Sequence, residues 1–382
     1  MVFLLTYAVF CLAGSYVLDV LGLRNAILLE MILASAGAWI KLGSVSPDRF
    51  WVIILGQTVV GISQVLVTPA PSRLAASWFG PKEVSTACSI AIFGGLIGTA
   101  VGFLIPPMLV KNHIDSNIVE HGMYTLALAT AVLNTLVLIL VYIFFKDNPL
   151  LPPSPAQLEK EQERKETDNF LQSLKSLISN SSYSIFVLSF GISSGVYYAI
   201  SQLLNEIILI YYPNGAVYAG IAGLISTITG MVGAVVCGTI LDRFGRFRET
   251  IIGASALTCL SMLTFTLTID KGIMIVYIVI GLFGFFITAL YLAAYEVTAE
   301  LTYPIQESTS AGVMTLITQI SGILFTTAYS SLLNKTGDKI TNTIMSGLLG
   351  VGTVLLFLMR FELRRHAVQT QIAKPQVFIE RF

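Results

Sequence analysis

Two short stretches of the sequence have the spacing of a charged helix-to-helix turn, with an aspartate, a glycine three residues on and then a basic residue. The stronger copy is Asp242, Arg243, Gly245 and Arg246, and the weaker copy is Asp19, Gly22 and Arg24. Glycine permits a tight backbone path, and the aspartate can cap the next helix or pair with an arginine of a neighbouring helix. We predict a latch that holds one conformation and releases in another. The alternative is an ordinary polar turn.

Four carboxylates fall within or beside apolar runs, where an ionisable side chain is costly and is therefore a candidate for function. Glu30 and Glu206 lie deepest, and Glu206, next to Asn205, could sense a cation or reach water at its helix end. Glu296 and Glu300 approach the end of a later apolar run and are predicted to pair between helices or to act at a gate. Because no buried Lys or His partners them, proton coupling is not indicated.

The sequence carries no pattern typical of metal, redox or hydrolytic chemistry. The four cysteines lie in apolar runs without metal-ligand spacing, and the three histidines lie outside these runs. No nucleotide-binding loop, zinc signature or serine-nucleophile motif is present. We therefore predict that the protein is not an enzyme and binds no metal or cofactor. The formal net charge of zero indicates no nucleic-acid partner.

The elements that must position these residues are apolar helices. The chain is 55% hydrophobic and 12% charged, about half the charged fraction of a typical soluble domain, so lipid must cover most of its surface. A bilayer span needs about 20 apolar residues. The sequence predicts eleven spans, near 1–18, 25–44, 50–72, 85–110, 123–145, 184–211, 216–241, 250–269, 273–298, 308–332 and 341–360.

One long polar segment divides the spans into two groups. We predict an N-terminal bundle of five helices at 1–145, a cytosolic linker at 146–183, a C-terminal bundle of six helices at 184–360 and a cytosolic tail at 361–382. With the linker in the cytosol, most of the 22 Lys and Arg residues fall on the cytosolic side, as the positive-inside rule requires.

The charged turn resembles the signature loop of the major facilitator superfamily, in which it follows the second helix of each six-helix half. Here the copy at Asp242 follows the second span of its half, whereas the copy at Asp19 follows the first. We therefore expect that the chain lacks the first helix of a twelve-helix bundle. A second pair of turns supports the repeat, because WFGPKEVSTA with Glu83 and YPIQESTSA with Glu307 occupy matching places in the two halves.

A narrower resemblance covers nearly the whole chain. The stretches GAWIKLGSVSPDRFWVIILGQ, PSRLAASWFGPKEVSTA, IGTAVGFLIPP and ELTYPIQESTSAG resemble the FLVCR family, a branch of the major facilitator superfamily related to the feline leukaemia virus subgroup C receptor. The resemblance implies transport of choline and ethanolamine, and the family is also described as carrying heme. It implies a bundle of two pseudo-repeated halves around a midplane cavity, with alternating access.

The resemblance also implies a binding site. Tyr198 matches a tyrosine that forms an aromatic wall for the substrate, Asn205 matches a polar position two turns further on, and Gln319 matches a pocket glutamine. Glu307 matches a carboxylate near the cytosolic gate. The family's first helix, which is expected to be absent here, supplies a tryptophan to the same pocket.

The side chains present suit a quaternary ammonium, which cannot donate hydrogen bonds and is held by ring faces. Rings could come from Tyr197, Tyr198, Phe190, Tyr291 and Tyr295, and Gln319 could bind a substrate hydroxyl. Heme is the alternative substrate, although the spans contain no histidine and no paired cysteine to serve as axial ligands.

The sequence thus predicts an all-α membrane protein of the major-facilitator type that transports choline- or ethanolamine-type amines, without coupling to an ion gradient. One alternative is heme transport, and another is a truncated, non-transporting form that acts through partners. We expect a small-molecule substrate, a lipid bilayer as surroundings and a monomer. The plasma membrane is the predicted location, with the mitochondrial or endoplasmic-reticulum membrane as alternatives.

Overall fold

The computed structural model describes residues 2–45, 49–67, 70–79, 83–110, 116–146, 170–213, 215–303, 305 and 307–361. Across these ranges the chain is helical and contains no strand. The helices are α1 (Val2–Leu42), α2 (Phe50–Val67), α3 (Ala70–Trp78), α4 (Val84–Leu109), α5 (Ser116–Phe144), α6 (Phe170–Ser179), α7 (Ser181–Tyr211), α8 (Ala216–Phe244), α9 (Phe247–Thr268), α10 (Ile273–Thr302), α11 (Glu307–Thr336) and α12 (Asp338–Leu358).

Most of these helices can cross a bilayer. Among the described residues, eight helical segments are long and apolar enough to span a membrane. Three shorter apolar segments, Val2–Cys11, Phe50–Leu66 and Phe93–Leu109, lie at the positions of the three remaining predicted spans. The predicted all-α, multi-pass class is therefore confirmed.

The turn predicted between the first two spans is confirmed. The spans predicted at 1–18 and 25–44 lie on either side of Gly22, whose non-helical backbone divides α1 into two helical segments at a kink. The span predicted at 50–72 covers α2 and the start of α3, and residues 68 and 69 between these helices lie outside the described residues.

The described chain forms two compact units, of which unit 1 comprises the described residues up to 146 together with Ile208–Leu224. Helices α1 and α2 approach closely at Gly37, where an added Cβ would lie 2.6 Å from Val60 Cγ2 and 2.9 Å from Gly56 O. Small residues allow such contacts between membrane helices. Helix α5 is joined to α1 by a hydrogen bond from Trp39 Nε1 to Thr135 Oγ1 at 2.9 Å.

Unit 2 comprises the described residues 170–207 and 225–361. Helices α8 and α10 pack backbone to backbone, because a Cβ at Gly233 would overlap Phe285 O and one at Gly284 would overlap Ser226 O. Helix α7 also approaches α11 closely at Gly195, where an added Cβ would lie 2.7 Å from the ring of Phe325. Among the described spans α7 is the most enclosed, because 61% of its most apolar 18-residue stretch is buried, compared with 6% for α5.

The polar segments of the chain are only partly described. Residues 147–169 of the predicted cytosolic linker and residues 362–382 of the predicted tail lie outside the described residues. The end of the linker forms α6, whose Leu177 is fully buried and whose Ile178 is exposed. This alternation indicates a short amphipathic helix that packs on unit 2 by one face.

Candidate functional site

An aromatic cluster occupies the interior of unit 2, between α7 and α10. The ring of Tyr291 lies 4.8 Å from that of Phe190 and 5.8 Å from that of Tyr197, and both contacts are edge-to-face. Tyr197 also lies 5.9 Å from Tyr198 and 6.5 Å from Phe283. These centroid distances are typical of favourable aromatic pairs. Two helices thus bring five rings into one group, which we call the ring cluster.

The sequence of α7 explains why its rings meet. Phe186, Phe190 and Tyr197 follow one another at intervals of four and seven residues, which places them on one face of a helix. Phe186 stacks on Phe190 with parallel rings 6.3 Å apart. Phe186 and Phe190 are buried, whereas Tyr197 is half-buried. The tyrosines of the cluster therefore keep part of their surface accessible.

Two polar side chains of α10 and α11, Tyr291 and Gln319, have buried polar atoms in this part of unit 2. Among the described residues, Oε1 of Gln319 has no hydrogen-bond partner. The Tyr291 hydroxyl lies beside Ser194, which donates to Gly191 O at 3.0 Å and whose oxygen can still accept a hydrogen bond from Tyr291. Because a buried unpaired polar group is costly, each such atom calls for an explanation. One explanation is a ligand that supplies the missing hydrogen bond.

The packing of α10 on α11 places the Tyr291 hydroxyl and Gln319 at the same height along the helix axes. The helices are joined by a short turn and run antiparallel. The Tyr295 hydroxyl meets Thr315 Oγ1 at 3.5 Å, and Thr298 Oγ1 donates to Met314 Sδ at 3.1 Å. One turn from the Tyr295–Thr315 pair, along each helix, are Tyr291 and Gln319. The Tyr291 hydroxyl, a donor, and Gln319 Oε1, an acceptor, therefore lie at the same height within unit 2.

The structure brings together some of the predicted binding residues but not all of them. Tyr197 and Tyr198 lie in the ring cluster and are half-buried, and Gln319 is only 6% exposed. Asn205, two turns along α7 from Tyr198, is exposed and stays a prediction. Its neighbour Glu206 is also exposed, and its reach to water at a helix end stays a prediction.

The predicted gate residues fall into two groups. The side chains of Asp19, Asp242 and Glu307 lie outside the part of the chain that the structure describes. The others are described: Arg24 is half-buried, Glu300 is 7% exposed, and Glu83, Arg243 and Arg246 are exposed. Their roles at a gate remain predictions.

The glycines of the two charged turns both adopt backbone conformations that other residues avoid. Gly22 has φ 78° and ψ 165°, and Gly245 has φ 60°. A positive φ is uncommon for residues with a Cβ. The spacing of Asp, Gly and a basic residue therefore predicted correctly where the backbone turns in each copy.

Sequence reasoning missed three residues of these sites. Phe283 belongs to the ring cluster and Phe186 stacks on its member Phe190, yet a phenylalanine in an apolar span carries no signal beyond its position on the helix face. Arg248 lies three residues after Gly245, with its guanidinium 6.0 Å from the Phe357 ring centroid and 5.9 Å from that of Phe361. The basic run after Gly245 was the available signal for Arg248.

Apolar spans packed through glycines, a charged turn in each unit and a ring cluster inside one of them define a multi-pass membrane protein of the transporter class. The family model of the Major Facilitator Superfamily matches residues 1–326. The D-xylose-proton symporter structure has the same fold, with a TM-score of 0.73 at 14% identity over 95% of this chain and 87% of that one.

Two relatives indicate the branch of the superfamily to which the chain belongs. The uncharacterized MFS-type transporter C09D4.1 of Caenorhabditis elegans is 43% identical over 379 residues, covering 97% of this chain and 64% of the relative. The choline/ethanolamine transporter FLVCR1 of Felis catus is 37% identical over 379 residues, covering 99% of this chain and 68% of the relative. The chain thus spans about two thirds of the length of these relatives. It belongs to the major facilitator superfamily and, within it, to the FLVCR family.

Proposed function

We propose that the protein transports choline- or ethanolamine-type amines by alternating access, as a monomer, without ion coupling and without a catalytic step. The observation that carries the substrate class is the ring cluster of Phe190, Tyr197, Tyr198, Phe283 and Tyr291, together with the unpaired Oε1 of buried Gln319 on α11. The names of the cat relative and its kin, choline/ethanolamine transporters, support the same class.

The ring cluster suits a cation that carries methyl groups or ammonium hydrogens. A cation over a ring face gains about 2 kcal/mol when the site excludes water. Tyr197 and Tyr291 meet edge to face, so they do not cover each other's faces as stacked rings would. The half-buried tyrosines therefore supply the attraction, and the buried Phe186 and Phe190 hold them in position.

The polar pair suits the hydroxyl that choline and ethanolamine share. Gln319 Oε1 can accept a hydrogen bond from that hydroxyl, and the Tyr291 hydroxyl can donate one to it. Gln319 Oε1 would then gain a hydrogen-bond partner only when substrate is bound. A site built to pair with a hydroxyl discriminates strongly against an analogue that lacks it.

Uptake of radiolabelled choline tests this proposal in cells that express the chain and its variants at equal surface levels. We expect Tyr197→Leu to raise KM by about thirtyfold, the equivalent of one lost ring face. Tyr124→Leu is the matched control, because Tyr124 is an exposed ring on α5, outside the ring cluster. Equal KM values for the two variants would contradict the proposed site.

Competition by tetramethylammonium separates the ring faces from the polar pair. This cation has no hydroxyl, so Gln319→Leu should weaken choline uptake by about tenfold while leaving inhibition by tetramethylammonium unchanged. If both ligands weaken equally, Gln319 acts through packing rather than through a hydroxyl. Saturable heme uptake without choline uptake would instead favour the heme alternative.

The exposed arginines beside Gly245 are proposed to act at the cytosolic gate, together with Asp242. Arg243 lies over the adjacent Phe244 ring at 5.9 Å, and Arg246 begins the turn into α9. A charge pair that forms in one state only would bias the alternation between states. The same role is proposed for Asp19 and Arg24 and for the carboxylates Glu83, Glu300 and Glu307.

A further inference from the structure

A cavity on unit 2, distinct from the ring cluster, lies between α8, α9 and α10. Its volume is about 470 Å³, within the range of small-molecule sites. Helix α8 contributes residues from Gly233 to Phe244, one face of three helical turns and about 16 Å in length. This length is close to half the hydrocarbon thickness of a bilayer, which is about 30 Å.

The cavity is closed at its base and open along its side. Cys237 and Ala254 form a buried floor, with 3% and 8% of their surface exposed. Phe285 and Phe286 form one wall, with their rings in edge-to-face contact at 5.1 Å. Leu257, which also lines the cavity, is 41% exposed. An open apolar side of this kind has the surface that an acyl chain requires.

The mouth of the cavity carries opposite charges. Arg246 and Glu249, both exposed, lie at the start of α9 beside Thr250, at the end that the positive-inside rule places in the cytosol. Arginine binds phosphate through its planar guanidinium. A carboxylate accepts hydrogen bonds from a primary ammonium, whereas a quaternary ammonium has none to donate.

We propose that this cavity binds one phosphatidylethanolamine molecule of the cytosolic leaflet. One acyl chain lies against α8, α9 and α10, the phosphate contacts Arg246, and the ammonium contacts Glu249. Neither a free amine nor a lone phosphate would use the apolar length of the cavity. An anionic lipid without an amine would leave Glu249 beside its negative charge.

Gly253 offers a way to fill the cavity without disturbing the helices. It lines the cavity, and no atom lies within 4 Å of the position of an added Cβ. A leucine there projects into the space proposed for the acyl chain. Gly347 on α12 is the matched control, because it is also helical and has the same open surroundings, yet does not line the cavity.

Native mass spectrometry of the purified full chain, mixed with phosphatidylethanolamine, phosphatidylcholine or phosphatidylglycerol of identical acyl chains, tests the proposal. We expect one retained phosphatidylethanolamine per chain and weaker retention of the other two lipids. Gly253→Leu should lower this retention by about tenfold, as when roughly two methylene groups are no longer buried. Gly347→Leu should retain the lipid as the unaltered chain does.

Headgroup selectivity provides a second readout that does not depend on the folding of the Gly253 variant. Glu249→Gln should abolish the preference for phosphatidylethanolamine over phosphatidylglycerol. Equal retention by Gly253→Leu and Gly347→Leu, or the absence of any headgroup preference in the unaltered chain, would overturn the proposal and indicate ordinary boundary lipid. Because no uptake is measured, failure here leaves the proposed transport function untouched.

Discussion

The last helix of unit 1, α5, and the last helix of unit 2, α12, are attached to their units by different contacts of an arginine. In unit 1 the arginine is Arg24, two residues after the kink at Gly22. Its Nη2 donates to Tyr142 O at 3.4 Å, near the end of α5. That carbonyl is one of the four that a helix leaves unpaired at its C-terminus.

In unit 2 the corresponding arginine is Arg248, three residues after Gly245. It lies over the rings of Phe357 and Phe361, which flank the end of α12, and uses cation–π attraction instead of a carbonyl. The comparison shows that both units keep a glycine turn followed by an arginine that contacts the last helix of the unit. The group that the cation contacts has diverged.

The largest expected effect comes from the two turn glycines. Gly22, with ψ near 165°, occupies a region that is essentially limited to glycine, whereas φ of Gly245 is also found for asparagine in left-handed turns. We expect Gly22→Ala to lower stability by about 1–3 kcal/mol and Gly245→Ala by about 1 kcal/mol. Thermal unfolding in detergent measures both changes.

Asparagine at the same positions sharpens this contrast. Gly245→Asn should recover most of the stability that Gly245→Ala loses, while Gly22→Asn should not. If all four variants lose the same stability, the two turns do not differ in backbone strain. Gly98 on α4, an open helical position with nothing within 4 Å of an added Cβ, provides the neutral glycine control.

The next effect concerns the contact of Arg248 with Phe357. A double-mutant cycle with Arg248→Gln and Phe357→Leu should give a coupling free energy of about 0.5–1 kcal/mol, as for an exposed cation–π pair. Arg248→Lys should keep part of it, because lysine retains the charge but not the planar group. Additive effects of the two substitutions would show that the ring plays no part in the attachment of α12.

The sequence predicted both the helices and the first turn between them. The span predicted at 273–298 lies within α10, which extends through Ile273–Thr302. The charged turn predicted between the first two spans is where α1 divides, because the backbone of Gly22 is not helical. Local composition indicates how much of the chain lies in lipid, whereas the glycine of a charged turn marks where one apolar helix ends and the next begins.

The candidate site was predicted only where a single helix carries the pattern. Tyr198 and Gln319 were named from the resemblance, and Tyr197, Phe190 and Tyr291 were named as possible rings. That Tyr291 lies level with Gln319 depends on the register of α10 against α11, which no spacing within one helix reveals. The cavity at Gly253 likewise exists only because three helices diverge there.

A smaller effect is expected from the interhelical hydrogen bonds of α5 and α12. Thr135→Val leaves the Trp39 N–H unpaired, and we expect a loss of about 0.6 kcal/mol, the mean for such bonds in membranes. In unit 2, Thr353→Val removes the partner of Ser255, now 2.8 Å away. Ser255 can turn to a carbonyl of its own helix, so the loss should be smaller. A larger loss for Thr353→Val would reverse this ranking.

The smallest effect belongs to the opposite end of α12, where an exposed ion pair joins Lys339 Nζ to Asp270 Oδ2 at 2.9 Å. The hydrogen bond from Lys339 lowers the pKa of the Asp270 carboxyl. A carboxyl with a lowered pKa in the folded state contributes stability above its unfolded pKa of about 3.9 and loses it as the pH falls through the folded value. Asp270→Asn should therefore lower Tm by less than about 2 °C near pH 7, and by nothing at a pH below the folded pKa.

Added salt should also reduce the difference at pH 7, since exposed charges are screened. A difference that persists in acid and in high salt would mean that Asp270 holds α12 by packing, and the contrast between the two ends of this helix would then rest on Arg248 alone.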